Sequence, residues 1–103
     1  MALEELAKVL ESTRLPVTYL AWPEGEAPAM PYICYLSTGS DPTFADGMVY
    51  YSYDEVRVEL YTAFRDPVTE SLVELALTGY HWKKDATYID DELCWMITYD
   101  IEV

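Results

Sequence analysis

The chain carries one histidine, His81, and two cysteines, Cys34 and Cys94. These are the side chains best able to act as base, nucleophile or soft metal ligand near neutral pH. His81 stands between Tyr80 and Trp82, with Lys83-Lys84 following. A lone imidazole in that setting reads as a surface or packing residue, because no serine or cysteine nucleophile has a base partner evident in the sequence. Each cysteine lies inside an apolar run and reads as a small buried hydrophobe. Their spacing matches neither a disulfide framework nor a ligand set. Asp90-Asp91-Glu92 is a run of three carboxylates. It reads as a solvated turn; it could hold a hard cation weakly, but it lacks the ligand spacing of a calcium loop. The four glycines, at 25, 39, 47 and 79, build no phosphate-binding loop. The sequence therefore points to no catalytic residue, no cofactor and no metal. It predicts a protein that binds other proteins rather than an enzyme.

The totals agree with that expectation. At 103 residues the chain suits a single domain, 1–103, and a hydrophobic fraction of 51% is enough for one core. Ten tyrosines raise the aromatic share to 15%, which suits strands and interfaces that are partly buried. Nineteen acids against six bases leave a formal charge of −13. Binding nucleic acid directly needs a basic patch. Here the bases are Lys8, Arg14, Arg57, Arg65, Lys83 and Lys84, and only the last two adjoin. Such acidity serves solubility first; the sharper reading is a surface that repels or imitates DNA. The acidic start Met-Ala-Leu-Glu-Glu is unlike a signal peptide, and no apolar run is long enough to span a bilayer. The expected location is the cytosol.

Leu3, Leu6, Ala7 and Leu10 repeat at helical spacing, with Glu4, Glu5, Lys8 and Glu11 off the stripe, until Pro16 stops the helix. Val17 to Trp22 reads as a short strand, and the proline-rich stretch 23–31 as irregular. Tyr32 to Leu36 is a strand covered on both faces, followed by turn signals at 38–42 and at Asp46-Gly47. Met48 to Phe64 is a long strand or hairpin. Val56, Val58, Leu60 and Phe64 point one way, and Arg57, Glu59 and Tyr61 the other. Asp66-Pro67 opens a second helix whose buried stripe is Val68, Leu72, Leu75 and Ala76, ended by Gly79. Tyr80 to Ile89 is a strand. In the last strand Leu93, Trp95, Ile97, Tyr99, Ile101 and Val103 form one apolar face. The order α-β-β-β(hairpin)-α-β-β predicts an α+β fold: a single, mostly antiparallel sheet with two helices packed on one face.

Several strings occur in a characteristic succession: Leu15-Pro16-Val17, Pro23-Glu24-Gly25-Glu26-Ala27-Pro28, Pro31-Tyr32-Ile33-Cys34-Tyr35, Ala45-Asp46-Gly47, Val49-Tyr50, Val58-Glu59-Leu60-Tyr61-Thr62, Asp66-Pro67 and Tyr99-Asp100-Ile101-Glu102-Val103. Together they resemble the small tail terminator, or tail completion (minor capsid), proteins of siphophages and prophages of Gram-positive bacteria. The resemblance runs over essentially the whole chain and rests on order and length. The sequence departs from it at Ala63-Phe64, where polar residues are expected, and in Met48 to Tyr53, which is less basic than usual.

The resemblance implies a subunit of a homo-oligomeric ring, typically a hexamer, that caps the tail tube and offers a docking surface to the filled head. Its expected partners are other copies of itself, the tail-tube protein and a head-completion protein. No sequence-specific nucleic acid binding and no membrane are expected. Its expected location is the host cytoplasm during assembly and then the head–tail junction of the virion. A ring needs a head-to-tail interface that closes. The uncharged segment with Met48, Val49, Tyr50, Tyr51 and Tyr53 is the candidate for part of it, against the plainer reading of an edge hairpin. A negative lumen would let DNA slide through. Two alternatives stay open: another head–tail connector or completion protein, or an acidic DNA mimic that inhibits a host protein. One continuous acidic stripe would mark the mimic.

Overall fold

The computed structural model describes the backbone at 2–45 and 48–102, and side chains at 3–39 and 55–101. Helix α1 (Ala2–Glu11) is followed by strands β1 (Val17–Tyr19), β2 (Tyr32–Ala45) and β3 (Met48–Thr62). Helix α2 (Pro67–Ala76) then leads to β4 (Trp82–Ile89) and β5 (Cys94–Glu102). One five-stranded sheet results, in the order β1-β2-β3-β5-β4. The predicted α+β class and element order hold, with both helices on one face. One pair departs from a run of hairpins: β1 lies parallel to β2, Val17 opposite Ile33. The irregular stretch 20–31 supplies the long crossover that parallel neighbours require.

The core lies between sheet and helices. Leu6 and Leu10 of α1 and Val73 and Leu77 of α2 meet Ile33, Val56, Val58, Leu60, Ile97, Tyr99 and Ile101. Register puts the sheet residues on one face: Ile33 opposes Leu60, which opposes Ile97. α1 closes where the Thr13 hydroxyl donates to Leu10 O at 2.6 Å and accepts from Leu15 N at 3.2 Å. α2 opens as the sequence predicts. The Asp66 carboxylate accepts from Thr69 N at 3.2 Å and from Thr69 Oγ1 at 2.7 Å, and Pro67 takes the first helical position.

Four local expectations are corrected. The stretch 38–42 is not a turn, because β2 runs through it to Ala45. Pro42 is tolerated there because only β1 flanks β2 on that side, and it pairs no further than Tyr35. Leu93 leaves the apolar face of β5: it is exposed, in the turn before the strand, with φ +51. Phe64 lies beyond the end of β3 and is exposed. The fourth concerns α2. Its buried residues are Glu70 and Val73, while Val68 is 80% exposed, Leu75 73% and Leu72 41%. Three of the four residues of the predicted stripe therefore face outward, and Ala76 is half-buried.

Candidate protein–protein interface

The long strands β2 and β3 outrun the rest of the sheet. β5 pairs with β3 only from Glu55 to Thr62. Beyond Glu55, among the described residues, the two strands are paired with each other alone, from Ser40 opposite Asp54 to Ala45 opposite Met48. They form a two-stranded arm at one end of a molecule measuring 50 × 27 × 22 Å. The register slips between Ser37 and Gly39, at the base of the arm, where the Thr38 hydroxyl donates to Glu55 O at 3.2 Å. Such an irregularity bends and twists the pair as it leaves the sheet. A second slip falls between Thr43 and Phe44.

The candidate interface residues Met48, Val49, Tyr50, Tyr51 and Tyr53 belong to the β3 half of this arm. Their side chains lie outside the described residues, as does the Asp46-Gly47 turn signal.

A second surface comes from α2, and an ion cluster explains it. The Arg65 guanidinium forks onto Glu70, donating from Nε to Oε2 at 3.0 Å and from Nη2 to Oε1 at 3.1 Å. Lys84 Nζ on β4 lies 2.9 Å from Glu70 Oε1 and 2.6 Å from Glu74 Oε2. The Tyr99 hydroxyl donates to Glu74 Oε2 at 2.7 Å. Hydrogen bonding from Arg65 holds the Glu70 carboxyl down at about 2; burial opposes this, and Lys84 adds to it. Lys84 is raised because Glu74 and Glu70 outweigh its burial.

Both acids of α2 are thus turned toward the sheet. The exposed positions over 67–79 are Pro67, Val68, Ser71, Leu72, Leu75, Thr78 and Gly79, all uncharged. Among them Val68, Leu72 and Leu75 are large apolar side chains left exposed on a chain of charge −13. A shallow cleft of about 170 Å³ is lined by Leu72, Leu75, Ala76, Ser12 and Thr13.

Sequence reasoning missed this surface because α2 carries two apolar stripes. The stripe at 68, 72 and 75 competes with the one completed by Val73 and Leu77. The available signal was Glu70 and Glu74 on a helix with no base of its own, acids that needed partners from elsewhere.

A groove of about 620 Å³ opens at the base of the arm, lined by Thr38, Glu55, Arg57, His81, Trp82 and Asp100 among others. Arg57 Nε donates to Asp100 Oδ1 at 2.9 Å, and this bond raises the guanidinium pKa. Both side chains are nearly half exposed, so the pair adds little stability. His81 is exposed at the rim.

On the helix-free face of the sheet, burial and then Glu59 push the Cys34 thiol up to about 11. Tyr61, whose hydroxyl donates to Glu59 Oε1 at 3.0 Å, is raised chiefly by burial. Cys94 is raised by burial and by Glu92. Among the described residues, no group of three or more His, Cys, Asp or Glu is placed to hold a metal ion. No helix among them is long and apolar enough to cross a membrane.

The acids do not form one continuous stripe among the described residues. Arg57 lies between Glu55 and Glu59 along one face of β3, and Lys83 lies beside Asp85 and opposite Asp100 on the same face. Scanned against protein-family models, the chain matches none, and a search of the curated proteins finds no match.

Proposed function

We propose that the chain is a phage or prophage virion-assembly subunit, a tail terminator that forms a ring on the end of the tail tube. The observation that carries this reading is the arm: a two-stranded extension beyond the sheet whose segment 48–53 has no charge. An isolated pair of strands is marginal in water and calls for another surface to lie on. In a ring, each subunit supplies that surface to the next. The ordered strings shared with tail terminators over the whole chain agree with it. The net charge of −13 suits a bore through which DNA passes without sticking. Bases interleave with the acids on the sheet face, and the α2 acids turn inward. Both features weigh against a DNA mimic, which needs an unbroken run of carboxylates.

Mass determination in solution, with and without the cognate tail-tube protein, tests the reading. The expected result is a closed oligomer on tube ends that stops tube growth. A stable monomer that never caps tubes removes the proposal. A basic lining in an assembled ring would remove the argument from charge.

A further inference from the structure

We propose that the Tyr19 side chain is a plug on the outer edge of β2, holding that edge closed to strand addition by a second copy of this chain. The proposal goes beyond the ring reading and does not rest on it.

An outer strand offers unpaired N–H and C=O groups to any extended chain. The sheet has two outer strands, β1 and β4. β4 presents Lys83 and Asp85 to solvent, and such charges deter a pairing strand. β1 supplies no such guard. It is three residues long and pairs with β2 only at Ile33, Cys34 and Tyr35. Past Tyr35, among the described residues, no strand flanks β2 on that side, and positions 32–40 carry no charge.

The hydrogen bonds show where β1 stops and what replaces it. Ile33 N donates to Pro16 O at 2.8 Å, and Leu20 N donates to Tyr35 O at 2.8 Å. With this even spacing, the next rung of a parallel ladder runs from Ser37 N to Leu20 O. The chain turns away first. Ala21 N donates to Tyr19 O at 2.8 Å and closes a three-residue turn on Leu20, whose φ is +68. Ser37 N donates instead to the Tyr19 hydroxyl at 3.2 Å. The phenol oxygen takes the place of the missing carbonyl, since a hydroxyl can accept as well as donate. The side chain thus reaches from its own position opposite Tyr35 to an amide two residues further along β2. Its ring meets the Tyr35 ring edge-on at 5.2 Å, which holds it over the edge. Tyr19 is 48% exposed, so its ring adds little to the core. Its specific contribution is the cover that it gives to β2.

The test reads two quantities over a range of concentrations of the purified full chain: exchange of the Ser37 amide by NMR, and mean mass by light scattering. Tyr19→Phe keeps the ring and removes the acceptor. In dilute solution its Ser37 exchange is expected to be at least about fivefold faster than in the parent. Tyr19→Ala removes the plug. Its mean mass is expected to rise above the parent's with concentration. Its Ser37 exchange should slow again over the same range, because the added strand covers that amide. Tyr19→Thr, a residue suited to strands, repeats the measurement should the alanine variant not fold. Tyr88→Ala, which deletes a similarly exposed tyrosine from β4, should match the parent in both readouts. A parent-like mass at every soluble concentration, once the plug is removed, overturns the proposal. So does a rise in mass with Ser37 exchange still fast, since the copies then meet elsewhere. An equal rise for Tyr88→Ala, or unchanged Ser37 exchange in Tyr19→Phe, overturns it too.

Discussion

The Tyr99 hydroxyl donates to Glu74 Oε2 at 2.7 Å, and the same oxygen accepts from Lys84 Nζ at 2.6 Å. This junction ties the middle of β5 and the edge strand β4 to α2. Tyr99 is fully buried, with its ring edge-on to Trp82 at 5.3 Å. Burial, and then the bond to Glu74, push its ionisation well above the usual range, so the phenol stays a neutral donor. The bond also fixes which way α2 faces, because it holds one of the helix's two acids against the sheet.

Removing the hydroxyl alone tests that junction. Tyr99→Phe keeps the ring and leaves Glu74 with Lys84. A loss of about 1–2 kcal/mol is expected, read by calorimetry as a fall in the thermal midpoint of roughly 4–12 °C. An unchanged midpoint would mean the bond contributes nothing.

Acid should weaken the fold through Glu70. Its carboxyl lies at about 2 in the folded protein against an ordinary value of 4.5. The folded form thus favours the ionised group. The stabilisation is complete above about pH 4.5 and is lost as pH falls from there through about 2. Its size at neutral pH is on the order of 2–3 kcal/mol, reduced because Arg65 is half exposed and screened. Glu70→Gln is expected to lower the urea midpoint at pH 7 and to flatten its dependence between pH 4.5 and 2. Parallel pH curves for the two proteins would refute this.

The two faces of α2 should respond oppositely to truncation. Val73 is fully buried, and Val73→Ala is expected to cost about 2–3 kcal/mol in denaturant unfolding. Val68→Ala should change stability by less than about 0.5 kcal/mol. Equal costs would restore the inward stripe that the bare sequence suggests.

Both thiols should resist modification. Cys34 and Cys94 are buried, and both are pushed up in pKa, Cys34 to about 11. At pH 8 a disulfide reagent should therefore react with neither until the protein is unfolded. Rapid labelling of the native protein would contradict this placement.

Much of the architecture was legible in residue patterns. The alternation of Val56, Val58 and Leu60 marked β3, and Ile97, Tyr99 and Ile101 marked β5. Asp66-Pro67 marked the start of α2 because capping is a local hydrogen-bond geometry. Local sequence also named the uncharged segment 48–53. It did not show that 38–42 continues β2, since a proline and glycine cluster signals a turn wherever its neighbours in space are unknown.

By itself, then, the sequence determined the α+β class, the order of elements, the acidity and the absence of any familiar catalytic motif. Those properties follow from periodicity and composition, which need no knowledge of what lies nearby. Only the tertiary structure decided which stripe of α2 is core. Two apolar stripes were available, and Arg65, Lys84 and Tyr99 draw Glu70 and Glu74 inward. Leaving a buried carboxylate without such partners would cost more than exposing Val68, Leu72 and Leu75. Arg65 stands in the loop just before α2, but Lys84 and Tyr99 come from strands that follow it, so the neutral outward face of α2 is completed only once the sheet has formed.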